Sequence, residues 1–271
     1  MPEFYSKPIS RKLSIANIKW QSFYLNMRYF IKYADGFFVA SHYLKDYIIN
    51  ILKSKKKIHV LPNVIDPQMF EINNIEPFLE KKITIGYVGT PTRKDGVMDL
   101  IKSFGILNKK YPDTHLLIIG DIANGSSIIP QLKEYSIEQN VEQNISFTGL
   151  VLFNKIPELL NSCQILALTR PNGIFAEAGF PTKLGEYFAC KKPVLITNIG
   201  DIPLYFKNEE HLIIAEAENI NSIVEGFVKI IANKQLSKKM TENAYIWMNE
   251  NLNYRNISEK LDSFITKINI K

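Results

Sequence analysis

Lys183 and Glu186 stand at the start of a short helix expected over 182–190. It follows Gly179-Phe180-Pro181 and precedes the apolar run Val194-Leu195-Ile196. Pro181 suits the first helical position, where a missing N–H does no harm. The amides of Thr182, Lys183 and Leu184 then point out of the helix start. An anion held there gains from those donors and from the positive end of the helix dipole. Lys183 adds a full charge. Glu186, about one turn further on, is poorly placed for phosphate. A carboxylate beside phosphate donors suits paired hydroxyls instead, such as those of a ribose.

A second loop offers similar chemistry. Gly89-Thr90-Pro91-Thr92-Arg93-Lys94-Asp95-Gly96 follows a strand expected over 83–88. Gly89 permits close backbone approach, and Arg93 and Lys94 supply positive charge. The next helix adds free N–H groups at its start, so the loop suits a diphosphate. Phe147-Thr148-Gly149-Leu150 closes another strand, and a glycine there lets a flat base lie against the backbone. Each of these loops taken alone also reads as an ordinary turn. Glu177 and Glu186 together raise a competing chemistry, a glycosidase with two carboxylates. The phosphate-binding features weigh against it, since a hydrolase of neutral sugars has no need of them. The histidines show no metal spacing. His59 and His115 fall in apolar strand patterns and read as packed, and His42 reads as an incidental helix-start residue.

These residues fall at the ends of regular elements. Strands are expected at 36–40, 58–61, 83–88, 115–119, 145–147, 165–168, 194–197 and 212–214. Helices are expected near 41–53 (with Ser41 as N-cap), 96–110, 129–139, 155–162, 182–190, 219–233, 236–250 and 255–268. This alternation implies an α/β fold with a doubly wound parallel sheet and helices on both faces. In such sheets ligands bind outside the carboxyl ends of the strands, where the loops above lie. Residues 66–81 are polar, carry Pro67 and Pro77, and read as an interdomain linker.

Composition narrows the classes further. The chain has 271 residues, 46% hydrophobic and 22% charged, with a formal charge of +6. It can bury a real core and is not a disordered chain. The densest charge run, Lys53, Lys55, Lys56 and Lys57, reads as a solvated helix end, with weak attraction to anionic membranes or phosphorylated ligands as its functional reading. Zinc spacing, a basic helix and an RNA-binding aromatic motif are all missing, which argues against nucleic-acid binding. Cys163 and Cys190 read as small core residues in a reducing compartment. The first residues have no signal-peptide core and no apolar run approaches the ~20 residues that span a bilayer, so a cytoplasmic protein is expected, peripheral at most to the inner face of the membrane.

Four pieces occur together in order: Ala34 to Ser41, Leu61-Pro62-Asn63-Val64-Ile65-Asp66, the Gly89–Lys94 loop, and the Gly179–Ile196 segment. In that order they resemble the retaining GT-B glycosyltransferases of the group 1, or family 4, type. The resemblance runs from about residue 20 to the end. It implies a Rossmann-like donor domain over 79–252, a partial second Rossmann-like domain on the acceptor side over 1–78, and a C-terminal helix over 253–271 that packs back towards the N-terminal part. It implies hexosyl transfer from a UDP- or GDP-linked sugar to a polysaccharide or lipid-linked acceptor, with retention and with no bound metal or other cofactor. It assigns Arg93, Lys94, Lys183 and Glu177 to catalysis, and Gly89, Leu150, Pro181, Thr182, Leu184 and Glu186 to donor binding. The family's paired glutamates have seven residues between them. Here Glu177 and Glu186 have eight, and Ala178 holds the first position. The first domain lacks its glycine-rich loop. A truncated frame, a fragment and a split enzyme completed by another N-terminal chain stay open, as does a nucleotide-sugar-binding module without turnover. An unrelated doubly wound enzyme such as an epimerase is the weakest reading.

Overall fold

The apolar runs become parallel strands, covered on both faces because their residues are buried without alternation. The computed structural model of the chain describes residues 33–51, 53–72, 75–123 and 125–269, with Gln21, Ser22, Leu25 and Tyr29. Residues 20–33, which mix aromatic and basic residues at near-helical spacing in the sequence, lie mostly outside the described residues. Strands β1 (Gly36–Val39) and β2 (Lys57–Val60) form a two-stranded parallel sheet. Strands β3 (Ile83–Val88), β4 (Thr114–Ile119), β5 (Ile145–Phe147), β6 (Ile165–Leu168), β7 (Val194–Thr197) and β8 (Ile213–Ala215) form a six-stranded parallel sheet in the order β5-β4-β3-β6-β7-β8. The chain therefore winds outward from β3 to β5, then returns to the centre at β6 and winds the other way.

Among the described residues, seven α-helices lie between strands, α1 (His42–Asp46), α2 (Val97–Lys110), α3 (Ile129–Glu138), α4 (Ile156–Asn161), α5 (Ile174–Glu177), α6 (Thr182–Ala189) and α7 (Ile202–Tyr205), and three follow β8, α8 (Ile220–Ala232), α9 (Lys234–Asn251) and α10 (Tyr254–Asn269). Helix α2 shows why they pack: Val97, Leu100, Ile101, Phe104 and Leu107 recur at helical spacing and all are buried. The single helix expected over 41–53 is instead α1 followed by a π-helical turn over Tyr47–Ile51. Ser41 caps α1, its Oγ accepting from the Leu44 amide at 3.3 Å. Helices α5 and α7 went unread because four residues carry no helical period.

The segment over 66–81 is not a free linker. Phe70 is buried, and its carbonyl accepts from Asn161 Nδ2 at 2.7 Å. The Phe78 amide donates to the Ser162 carbonyl at 3.0 Å. Two phenylalanines in a polar, proline-bearing stretch are enough to anchor it. The β1–β2 sheet is too small to stand alone. Phe264 of α10 supports it, with ring centroids 4.8 Å from Phe38 and 5.3 Å from His59. Ile65 further ties this half to the start of α10, through Ile65 N to Leu252 O at 2.8 Å and Tyr254 N to Ile65 O at 3.0 Å.

At the opposite end of the sheet from the loops that could do chemistry, His115 of β4 is 4% exposed. Its Nε2 lies 2.9 Å from Ser146 Oγ, Phe78 stacks on its ring at 5.8 Å, and its Nδ1 has no partner. Burial, with Lys82 nearby, pushes its pKa down to about 4. The imidazole is therefore neutral in the fold. Its contribution to stability is complete above the ordinary histidine value, about 6.5, and is lost as pH falls towards 4, where the unfolded chain binds a proton the folded one refuses. In urea titrations, the wild type should lose about 1–3 kcal/mol more than His115→Gln between pH 7 and 4. Parallel pH profiles for the two proteins would contradict a buried neutral His115.

Candidate functional site

The winding reverses between β3 and β6, so the loops leaving their carboxyl ends diverge and open a crevice. A cleft of about 500 Å³ lies there, with Thr90, Thr92, Lys94 and Asp95 on one wall and Arg170, Phe175, Ala176 and Lys183 among the residues of the other. The loop after β3 contains a single 3₁₀ turn, Arg93–Asp95, ending at Gly96. Gly96 has φ 65°, and a Cβ there would lie 1.7 Å from the Thr169 carbonyl oxygen. Thr169 Oγ1 in turn donates to the Gly96 carbonyl at 2.8 Å. The turn is thus seated directly on the end of β6, and Asp95 is carried inward with it.

Asp95 is the centre of the site. It is 6% exposed and accepts three hydrogen bonds. Tyr87 Oη donates to Oδ2 at 2.8 Å, Lys183 Nζ to the same oxygen at 2.9 Å, and Arg170 Nε to Oδ1 at 3.0 Å. Burial alone would raise its pKa. Lys183 and Arg170 outweigh that and hold the carboxyl below the ordinary aspartate value, so it is ionised. Beneath it, Tyr187 Oη accepts from the Val88 amide at 3.1 Å and donates to the Ala167 carbonyl at 3.3 Å, which ties α6 to both strands. Lys94 takes a different partner, its ammonium lying 3.9 Å above the Phe175 ring.

The other half of the described chain reaches this cleft through Ala40, Leu44 and Asn63. Asn63 Nδ2 donates to the Phe180 carbonyl at 2.7 Å. His42, read above as incidental, is a bridge: its amide and its Nδ1 lie 2.8 and 3.1 Å from Asp201 Oδ2. Asp201 follows β7, so a carboxylate of one half caps the first turn of α1 in the other.

Lys94 and Lys183 are the two sequence-predicted residues that line the cleft. Arg93 is exposed and does not line the cleft, whereas Arg170 does. Glu177 is exposed although its neighbours Ala176 and Ala178 line the cleft, because successive helical residues point about 100° apart. Gly89 makes room for a side chain. With φ 139°, its missing Cβ leaves room for Lys183, whose Cε would be 2.2 Å from that atom. Pro181 is the N-cap of α6 rather than its first helical residue. Leu184 is fully buried and its amide is taken by the Pro181 carbonyl at 3.1 Å, which leaves the Thr182 and Lys183 amides at the helix start. The Thr182 side chain is exposed, and Leu150 is 65% exposed outside the cleft wall. Glu186 is half-buried, with no hydrogen-bond partner among the described residues. Burial raises its pKa and Lys183 opposes the rise. Asp95, Arg170, Tyr87, Asn63 and Phe175 were missed. The position of Asp95 before a helix-start glycine, and of Arg170 two residues past a strand, were the available signals.

Among the described residues, no group of three or more His, Cys, Asp or Glu side chains could hold a metal ion, and no helix is long and apolar enough to cross a membrane. Both cysteines are buried and free.

A family model described as "Glycosyl transferases group 1" matches residues 68–247. An uncharacterized glycosyltransferase of Methanocaldococcus jannaschii is 24% identical over 221 residues, 80% of this chain and 56% of that protein. The capsular polysaccharide biosynthesis glycosyltransferase CapM of Staphylococcus aureus is 24% identical over 268 residues, 92% of this chain and 66% of that protein. The chain therefore spans roughly half to two thirds of these relatives. Among solved structures, the Anabaena protein HepE, crystallised in complex with UDP, superposes with a TM-score of 0.74 at 15% identity, over 86% of this chain and 64% of that one. The six-stranded parallel sheet and its helices match the GT-B architecture of such neighbours.

The seating of the 3₁₀ turn gives a direct test. Gly96→Ala places a methyl group against fixed backbone at a left-handed φ, and should lower the unfolding free energy by about 2–4 kcal/mol. A loss under about 1 kcal/mol in denaturant titrations would show that the turn is not held on β6 in this way.

Proposed function

The chain belongs to the group 1 glycosyl transferases, and from that premise we propose that the cleft between the ends of β3 and β6 binds the diphosphate of a UDP- or GDP-linked sugar, whose sugar is passed to a saccharide or lipid-linked acceptor with retention. One observation carries this reading: Lys94, Arg170, Lys183 and the start of α6 converge on one cleft at the topological switch point. That arrangement suits charge that grows on the departing diphosphate. Cations fixed in advance stabilise such charge more in the transition state than in the ground state. The terminal nitrogens of Arg170 add two parallel donors, the geometry that matches phosphate oxygens. Glu186, half-buried one turn into α6 with no hydrogen-bond partner among the described residues, suits the paired hydroxyls of the ribose. The UDP in the HepE crystals and the capsular role in CapM's name agree with a sugar-nucleotide donor and a polysaccharide acceptor.

A second reading, a chain that binds the donor without turnover, is favoured by one fact. Among the described residues, the N-terminal half contributes Ala40, Leu44 and Asn63 to the cleft, none of them an acid or a base.

Calorimetry with UDP and GDP tests the site. At least one should bind the wild type, and Lys183→Met should weaken it by about tenfold or more. Glu186→Gln should weaken the nucleotide but leave inorganic pyrophosphate unchanged. Absence of binding to the wild type, or full affinity in Lys183→Met, would contradict the assignment. Turnover of UDP-glucose or GDP-mannose by the isolated chain would exclude the binding-only reading.

A further inference from the structure

An anion site normally gathers positive charge and keeps carboxylates away. Here a buried carboxylate sits at its centre. Among the residues lining the cleft, Lys94, Arg170 and Lys183 bring three positive charges and Asp95 one negative charge. Asp95 is held by more than its cations: Tyr87 Oη donates to it from beneath, and Gly96 fixes its backbone on β6. It is therefore part of the scaffold, while the two cations reach to it across the cleft floor.

The geometry of its contacts is selective. Arg170 spends only Nε on Asp95, and its two terminal nitrogens have no acceptor among the described residues. Lys183 likewise has a single acceptor among them, at 2.9 Å, so two of its three N–H groups are free. Asp95 thus fixes one donor of each cation and leaves the others for a ligand. The same contact subtracts charge. A carboxylate within ion-pair distance of both cations opposes any second anion that approaches them.

We propose that Asp95 is a positioning residue that sets the diphosphate affinity of the cleft: it aims Lys183 and Arg170 and, by its charge, keeps the nucleoside diphosphate product from binding too tightly to leave. This rests on the diphosphate reading of the cleft. Product dissociation governs turnover in many transferring enzymes, so a site that stabilises a leaving diphosphate gains from a built-in opposing charge.

The test is the affinity of the chain for UDP and GDP in Asp95→Asn and Tyr87→Phe, by calorimetry at two salt concentrations. Asp95→Asn removes the charge and should tighten binding of whichever diphosphate the wild type takes, by about tenfold at low salt. The gain should shrink at high salt and be absent for the uncharged nucleosides uridine and guanosine. Tyr87→Phe keeps the charge and should change affinity less than about twofold. A purely structural role would loosen binding in both variants, never tighten it in one. Unchanged or weaker binding in folded Asp95→Asn, or equal tightening in Tyr87→Phe, would overturn the proposal. If Asp95→Asn does not fold, Asp95→Ser carries the same expectation. Absence of UDP and GDP binding to the wild type would instead overturn the diphosphate reading itself, and this proposal with it.

Discussion

A carboxylate removed from water must be paired or neutralised, and Asp95 is paired three times over. Much of the local architecture follows from satisfying it. Tyr87 can donate to it only because β3 runs through the centre of the sheet. Arg170 reaches it because β6 is the next strand over, and Lys183 because α6 starts above both. The glycines at 89 and 96 remove the two Cβ atoms that would block this convergence, one beside Lys183 and one against the Thr169 carbonyl. Breaking one partner of a buried charge network commonly costs several kcal/mol, so the cluster binds three separate chain segments into one unit.

The same constraint shapes the chemistry. Cations pinned before a ligand arrives need little reorganisation as charge develops on it, which is the main source of electrostatic catalysis. Lys94 differs from the others: it rests on the Phe175 ring without a carboxylate, so its charge is undiminished by pairing. Among the described residues, the N-terminal half lines the cleft with Ala40, Leu44 and Asn63 and is cross-linked to the rest by Asn63 to Phe180 and His42 to Asp201. These cross-links align the two halves.

The fold was legible because its strands are continuous apolar runs and its longer helices keep a clean period. Strand positions from β3 to β8 agree within a residue with the sequence reading. Short elements were not legible: α5 and α7 span one turn each, and the anchoring of 66–81 depends on Phe70 and Phe78, which composition averages away. The site was half legible. Lys94 and Lys183, expected because charge near a helix start or a glycine loop has a local meaning, both line the cleft. Arg170 and Asp95 were not expected, because their meaning is a contact across 75 positions of sequence. Arg93 and Glu177, expected at the site from sequence, are exposed and do not line the cleft. In a 3₁₀ turn or a short helix, successive residues point about 100–120° apart, and sequence does not say which one faces the cleft.

The claim on which the rest stands is that the cluster around Asp95 is the floor of a nucleoside diphosphate site. A crystal structure of the chain with UDP or GDP bound addresses it most directly. The expected result is a diphosphate in the cleft, with its oxygens within hydrogen-bond distance of Lys183 Nζ and the terminal nitrogens of Arg170, and a ribose beside Glu186. A nucleotide bound elsewhere, with the Asp95 contacts to Lys183 and Arg170 closed off from it, would contradict that claim.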